Sequence, residues 1–132
     1  MNKETPILYI LMRSDLDSMN AGKGMAQAAH AANAFVKHAE KKNDKLVDSW
    51  INSTKQGFGT TIVLAVDGVE LQDLIDNAQG LGLIAGIVHD PSYPVRDGSV
   101  THLIPLDTCG YVFGSREFQP LRQLIGSWEL YQ

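Results

Sequence analysis

The residues from Pro6 to Arg13 include an apolar run, Ile-Leu-Tyr-Ile-Leu-Met, in which polar and apolar side chains do not alternate. A strand with one face in water shows such alternation, so this run predicts a strand that is covered on both faces. Two further apolar runs, Thr60–Val66 and Leu83–Val88, follow stretches with helical spacing. This order predicts an α/β fold, in which helices lie on both faces of one mixed β-sheet.

The remaining elements follow from apolar spacing and from residues that end helices and strands. Four helices are predicted, from about Gly22 to Lys41, after a cap at Asp44, over Val69–Gln79, and after a cap at Ser115 with Pro120 in the first turn. The segment His89-Asp90-Pro91 is expected to end the third strand and to lead into a loop at 92–98. Val100–Leu106 and Thr108–Phe113 are predicted as separate strands, the first an edge or inserted segment because Pro105 cannot donate a ladder hydrogen bond. The sheet then has about four strands, or one more if the extra edge strand is present, within a single domain spanning residues 1–132.

Composition narrows the class of protein. The 132 residues carry a formal net charge of −4, which argues weakly against generic nucleic-acid binding. The single cysteine, Cys109, excludes an internal disulfide and a zinc site built from cysteines. No stretch resembles a secretion signal or reaches membrane-spanning length, so we expect a cytoplasmic protein without a membrane partner.

The stretch from Asn20 to Ala34 holds the first group of candidate site residues. It begins around Lys23 with flanking glycines and continues as an alanine-rich helix. On that helix Lys23, Gln27 and His30 share one polar stripe, and a second stripe is predicted to face the core: Met25, Ala28, Ala29, Ala32, Phe35 and Val36. Gly22 and Gly24 would let backbone amides approach a bound anion at the helix start. The alternative is an ordinary glycine loop with a solvated lysine.

A second candidate lies far along the chain, at Asp90. Functional loops of α/β sheets gather beyond the carboxyl ends of parallel strands. The first strand ends shortly before Lys23, and the third is expected to end at Asp90. If these strands are parallel neighbours, the ammonium and the carboxylate meet in one crevice. The alternative for Asp90 is a turn residue before a proline.

Several motifs now resemble those of a known family. Arg13-Ser14-Asp15-Leu16, then Gly22-Lys23, then Ala26-Gln27-Ala28-Ala29-His30-Ala31-Ala32 is similar to the signature of the archaeal/eukaryotic-type peptidyl-tRNA hydrolases, the second of two unrelated classes. That family has a strand ending in Arg-x-Asp-Leu, a Met-Gly-Lys-Gly-Lys loop and a helix opening Ala-Ala-Gln-Cys-x-His-Ala. The similarity covers most of the chain up to about Asp90.

The resemblance implies a function and a set of site residues. It implies cleavage of the ester between a peptide, or an N-blocked aminoacyl group, and the 3′ ribose of tRNA, without metal or cofactor, by a protein that is usually a homodimer. Lys23 and Asp90 match family positions and are expected to be catalytic, Lys23 facing the oxyanion or a phosphate and Asp90 orienting the water. Gln27 and His30 match the family's glutamine and histidine and are expected, with Gly22 and Gly24, to bind substrate, although His30 is also a candidate for a structural role.

The chain departs from the family in two places. Ala21 replaces a loop lysine, and Pro91-Ser92-Tyr93-Pro94-Val95 replaces Ala-Gly-Arg-Thr-Gln, followed by roughly seven extra residues as judged by eye. Thr108, Ser99 or Thr101 are alternatives for the missing hydroxyl, and Thr108 is taken as a substrate-binding candidate. These departures leave open a second hypothesis, a non-catalytic module that binds tRNA or a protein. Tyr93 is a candidate for stacking on bases, whereas Trp50 and Cys109 are expected in the core.

Overall fold

The structure is a computed structural model that describes residues 4–132. Its elements in chain order are β1 (Pro6–Arg13), α1 (Ala21–Ala39), α2 (Lys45–Ile51), β2 (Thr61–Val66), α3 (Gly68–Gly80), β3 (Ile84–Asp97), β4 (Val100–Ser115) and α4 (Gln119–Ile125). The four strands form one sheet in the order β2-β1-β4-β3, with β1 parallel to β2 and antiparallel to β4, and β3 antiparallel to β4. The predicted α/β fold with a mixed sheet is confirmed.

Strand β1 is central, and six of its eight residues are buried. Alternate side chains enter different cores, as a period of two requires. Leu8, Ile10 and Met12 pack under α1 and α2 in a core that includes the aromatic side chains Phe35 and Trp50. Ile7, Tyr9 and Leu11 pack with α3 and α4 on the opposite face. The unbroken apolar run therefore reflects helices on both faces of the sheet.

The C-terminal half of the sheet differs from the prediction. The third strand does not end at Asp90, and the expected loop at 92–98 is strand except for Gly98, because β3 continues to Asp97 and pairs with β4 as far as Val100. The two strands expected after it are one strand, β4. Strand β1 pairs with β4 only between Cys109 and Ser115, so Pro105 lies in an arm that pairs with β3 alone. The prediction that Pro105 lies outside the fully paired part of the sheet is confirmed.

The predicted buried face of the first helix is partly wrong. The buried side of α1 consists of Gly24, Gln27, Ala31, Phe35 and Ala39, spaced three or four residues apart. Met25 is 71% exposed and Val36 is 39% exposed, although both were assigned to the core stripe. The helix is rotated from the predicted orientation because Gln27 has polar partners beneath it, so a polar side chain can occupy a core position.

Of the two predicted helix caps, Asp44 is confirmed and Ser115 is wrong. Asn20, Asp44 and Asp67 each accept a backbone N–H of the following first turn. The last helix is not capped by Ser115, since its N-cap is Phe118, without a side-chain hydrogen bond; Pro120 does lie in its first turn. Within residues 4–132, every helix is too short or too polar to cross a lipid bilayer.

Candidate active site

Asp90 lies between two irregularities of the β3–β4 ladder. The register shifts between Val88 and His89, where Thr108 is the extra residue of β4, and again between Asp90 and Tyr93. A bulge re-aims a side chain that regular alternation would send to the other face. Thr108 and Cys109 consequently both contact Gln27 of α1. The bulges thus bring the Thr108 hydroxyl and the Asp90 carboxylate to the side of the sheet that α1 covers.

Gln27 connects these two groups. Its Nε2 donates to Asp90 Oδ2 at 2.7 Å, and its Oε1 accepts from Thr108 Oγ1 at 2.6 Å. Gln27 is 4% exposed and Thr108 is fully buried. Because an ionised carboxylate can only accept, Asp90 fixes the NH2 end of the Gln27 amide toward itself, and the Thr108 hydroxyl, which can donate or accept, donates to the oxygen end. Thr108, predicted as a substrate-binding residue, therefore acts on the site through Gln27.

Lys23 lies one helical turn before Gln27 and also reaches β3. Its Nζ donates to the Pro94 carbonyl at 2.6 Å and to the Ser18 carbonyl at 3.1 Å, and it lies 5.0 Å from the centre of the Tyr93 ring. Two of the three ammonium protons are thus held by neutral carbonyls, and the third is available to another acceptor. The ammonium therefore links the start of α1 to the β3–β4 arm, which consists of residues 89–97 and 100–107 and pairs without β1.

The strand arrangement that was expected to bring Lys23 and Asp90 together is wrong. Strands β1 and β3 run in the same direction but are not neighbours, since β4 lies between them. Helix α1 spans the intervening strand, so its side chains rather than adjacent strand ends carry Lys23 to the Asp90 side of the sheet. A cavity of about 560 Å³ lies on the opposite face and contains none of these residues.

The expectation that Gly22 and Gly24 bind substrate stays a prediction, and the structure describes where the two glycines lie. Gly22 and Gly24 lie inside the first turns of α1. A Cβ at either position would meet its nearest neighbour at 3.6 Å, an ordinary contact, so neither site requires glycine. The Lys23 amide donates to the Asn20 side chain and the Gly24 amide donates to the Asn20 carbonyl. These two amides already have partners, and the Lys23 ammonium carries the full positive charge at this edge.

The environment of Asp90 favours its charged form. The Ser92 N–H at 2.9 Å, and then the Gln27 amide, lower the pKa of the Asp90 carboxyl below its ordinary value. His30 and His89 act in the same direction from a longer range. Each carboxylate oxygen accepts one protein hydrogen bond and keeps a free lone pair. Asp90 is therefore an ionised, oriented acceptor that can hold a water molecule.

The other predicted side chains lie in varied surroundings. His30 is exposed and lies within electrostatic reach of Asp90, so a buried structural role is excluded. Tyr93 is fully buried, and its hydroxyl oxygen accepts a hydrogen bond from Ser18 Oγ, so the prediction that it stacks on bases is wrong. Trp50 and Cys109 are in the core as expected, and burial raises the pKa of the Cys109 thiol to about 11, which keeps it protonated at neutral pH.

Sequence reasoning did not assign three groups that shape the site. The Ser92 amide and the carbonyls of Ser18 and Pro94 are backbone atoms, for which the residue type gives no signal. A fourth group did have a signal, the Arg13-Ser14-Asp15 motif. Arg13 pairs with Asp15 at 2.8 Å and donates to the Asp107 carbonyl, which ties the end of β1 to β4 beside Thr108.

These features define an α/β protein in which helix α1 places the Lys23 ammonium and the Gln27 amide on the same side of the sheet as the Asp90 carboxylate. The family model described as Peptidyl-tRNA hydrolase PTH2 matches residues 7–105, which include Lys23, Gln27 and Asp90. The chain belongs to this family.

Curated relatives agree with the family match. A protein named peptidyl-tRNA hydrolase from Methanocaldococcus jannaschii is 27% identical over 123 residues, which cover 93% of this chain and 97% of that protein. Another of that name from Thermoplasma volcanium is 34% identical over 96 residues, covering 71% of this chain and 78% of that protein. The bovine protein named peptidyl-tRNA hydrolase 2, mitochondrial is 31% identical over 83 residues, covering 63% of this chain and 44% of that protein.

Proposed function

We propose that this chain hydrolyses the ester between the 3′ ribose of tRNA and a peptide or N-blocked aminoacyl group, with Asp90 and Lys23 as catalytic residues. The observation that carries the proposal is the Gln27 amide, which connects α1 to Asp90 at 2.7 Å. It holds an ionised carboxylate on the same side of the sheet as the Lys23 ammonium. Family membership supplies the substrate class.

Asp90 orients the attacking water in this proposal. The lone pairs of its carboxylate that Ser92 and Gln27 leave free accept a hydrogen bond from the water, whose oxygen adds to the ester carbonyl carbon and whose released proton goes on to the 3′ oxygen of the ribose. Removing such a group typically costs about 10²–10⁴-fold in rate. The lowered pKa of Asp90 makes it a weak base, so its main contribution is to orient and polarise the water.

Lys23 stabilises the negative charge that develops on the carbonyl oxygen. Its third ammonium proton points to no described carbonyl, and a rotation about the flexible stem exchanges a carbonyl partner for the oxyanion. The C–O bond to the ribose then breaks, and the 3′ oxygen takes a proton to become a hydroxyl. The peptide leaves as a carboxylate and tRNA is released.

Turnover of N-acetyl-aminoacyl-tRNA by the purified protein tests the proposal. Asp90→Asn keeps the size of the side chain and removes the charge, and we expect it to lower kcat about 10²–10⁴-fold. Asp97→Asn is the matched control, because Asp97 lies on the same strand with an 82% exposed side chain; its rate should equal that of the unmodified protein.

Equal rates for the two variants would overturn the catalytic role of Asp90. Binding of charged tRNA without any release of tRNA by the unmodified protein would instead establish a non-catalytic module on this fold, the second hypothesis from the sequence. A panel of small acyl esters distinguishes an enzyme with another substrate, because such an enzyme would cleave an ester of the panel faster than charged tRNA.

The proposal includes a homodimer, as the resemblance implies, that acts in the cytoplasm, as the sequence analysis expects. Sedimentation equilibrium of the purified chain measures its mass against 14.5 kDa for one copy. A single species of one-copy mass over the working concentration range would overturn the dimer and leave the catalytic proposal intact.

A further inference from the structure

A cavity on the face of the sheet opposite α1 is a candidate for a second binding site. The cavity of about 560 Å³, here called the arginine cavity, lies between α4 and the sheet face formed by β1 and β2. It is lined by Tyr9, Ile62, Leu64, Arg116, Gln119, Arg122, Gln123, Ile125, Gly126, Trp128 and Leu130. Its volume falls in the range of roughly 300–1,000 Å³ that is typical of small-ligand sites. Its floor is apolar and its rim carries two guanidinium groups.

Both arginines lack an anionic partner within residues 4–132. The ion pairs of this part of the chain involve Arg13, His89 and His102, and neither Arg116 nor Arg122 has a carboxylate within 4.0 Å. The adjacent carboxylate of Glu117 accepts the Thr5 amide and the Ser115 hydroxyl instead. In a chain with a formal net charge of −4, two guanidiniums converging on one cavity are a local site of positive potential.

The Tyr9 phenol is a second, independent observation. Tyr9 is only 8% exposed and lines the cavity, and its hydroxyl has no hydrogen-bond partner in the described part of the chain. The described residues hold no buried side-chain oxygen or nitrogen without a partner, so this unpaired hydroxyl is reached by solvent through the cavity and is open to a ligand as donor and acceptor. Burial raises the Tyr9 pKa, the Glu117 charge adds to that rise and the charges of Arg116 and Arg122 oppose it, which puts both guanidiniums within electrostatic reach of the ring.

The lining defines the ligand chemistry. Guanidinium forks pair with phosphate oxygens through several N–H donors. The Trp128 indole and the Tyr9 ring offer aromatic surface for a planar group, and the amides of Gln119 and Gln123 offer both donors and acceptors. We propose that the arginine cavity binds a nucleoside phosphate, with its phosphate on Arg116 and Arg122 and its base against Trp128 and Tyr9.

This site is separate from the Asp90 site in the fold. Arg116 follows the end of β4, which pairs with the beginning of β1 at Pro6, whereas Lys23 and Asp90 lie near the end of β1. The eight residues of β1 span about 25 Å. Tyr9 and Leu64 belong to the core of the α3 and α4 face, opposite α1. The nucleoside phosphate comes either from free nucleotide or from one nucleotide of an RNA strand.

Indole ¹⁵N–¹H resonances of the full-length protein test the proposal without any turnover. The chain has two tryptophans, and the Trp50 indole donates to the Thr60 carbonyl in the other core. Titration with adenosine monophosphate should shift the Trp128 resonance saturably and leave that of Trp50 in place. Adenosine alone and inorganic phosphate alone should each bind at least roughly tenfold more weakly, because each lacks half of the contacts.

Substitutions at the rim assign the binding to this cavity. Arg116→Gln and Arg122→Gln should each weaken nucleotide binding roughly tenfold or more, which is the usual loss for a charge-assisted pair. Arg96→Gln is the matched control, because it makes the same change on the distant β3–β4 arm. Asp90→Asn should bind nucleotide as the unmodified protein does, so a failure here is distinguishable from a failure of the proposed hydrolysis.

A short single-stranded oligoadenylate distinguishes the two sources. Binding at least tenfold tighter than the mononucleotide assigns the cavity to an RNA strand, and equal binding assigns it to free nucleotide. Absence of a Trp128 shift with every probe at millimolar concentration would overturn the proposal. Equal shifts of both indoles, or unchanged affinity in both arginine variants, would overturn it as well.

Discussion

Two side chains of α1 reach β3 one helical turn apart, and they are held in opposite ways. Gln27 is buried and both ends of its amide are occupied, by Thr108 and by Asp90. Lys23 is only partly buried, and its ammonium rests on two backbone carbonyls. Gln27 therefore has one orientation, which the acceptor-only Asp90 carboxylate requires and the Thr108 hydroxyl supports, while Lys23 has a charge that a substrate can recruit. The comparison separates a residue that positions the site from one that contributes charge to the reaction.

The largest expected effect in this comparison is at Lys23. Lys23→Met keeps the apolar stem and removes the ammonium, so we expect kcat for N-acetyl-aminoacyl-tRNA to fall about 10²–10³-fold, as for loss of one oxyanion donor. The free energy of unfolding should fall by no more than about 1.5–3 kcal/mol, because the lost partners are two partly buried carbonyls that the ammonium binds. Single-turnover kinetics and urea denaturation measure the two quantities.

Lys37→Met provides the control, since Lys37 is an exposed lysine of the same helix. It should change neither the rate nor the free energy of unfolding. If Lys23→Met destabilised the fold by several kcal/mol at an unchanged rate, Lys23 would be a structural clamp between α1 and the β3–β4 arm, and its catalytic assignment would be wrong.

Gln27→Leu should affect both quantities. It removes the acceptor of the Thr108 hydroxyl in a buried setting, which costs about 1–3 kcal/mol of folding free energy, and it releases Asp90, which lowers kcat. A double-mutant cycle with Thr108→Val measures the coupling. Because the valine removes the orphaned hydroxyl, the double variant should be less destabilised than the sum of the two single variants, by about 0.5–3 kcal/mol.

Additive effects in that cycle would contradict the link from Thr108 through Gln27 to Asp90. Thr108→Ser is the matched variant for the hydroxyl, since it keeps the donor and removes only a methyl group. Its kcat should lie closer to that of the unmodified protein than the kcat of Thr108→Val.

The smallest effect is a shift in the titration of Asp90. The Ser92 amide and then Gln27 lower its pKa, so in the folded protein it should titrate below the ordinary aspartate value of about 3.9. The stabilisation from its charged form is complete above that ordinary value and is lost as the pH falls through the lowered one. Carboxyl ¹³C NMR measures the pKa, and Gln27→Leu should raise it part of the way back. A folded-state pKa at or above the ordinary value in the unmodified protein would contradict the assigned hydrogen bonds.

The sequence predicted more of the fold than of the site. The apolar runs at Ile7–Met12 and Thr60–Val66 located β1 and β2 to within a residue, because buried strands need unbroken apolar side chains. The segment 92–98 misled the prediction, because its proline and glycine residues are typical of turns. Its pairing with β4 decided the outcome, and such pairing depends on residues that lie elsewhere in the chain.

Local chemistry alone determined the α/β class, the capped start of α2, and the candidates Lys23, Gln27 and Asp90, since each depends on residue type and spacing over a few positions. Tertiary structure decided that Gln27 is buried, that Thr108 turns toward it at a bulge, and that Arg116 and Arg122 converge on one cavity. These outcomes depend on strand register and on the rotation of a helix about its axis. Packing between distant segments sets both the register and the rotation, so a local sequence pattern cannot predict them.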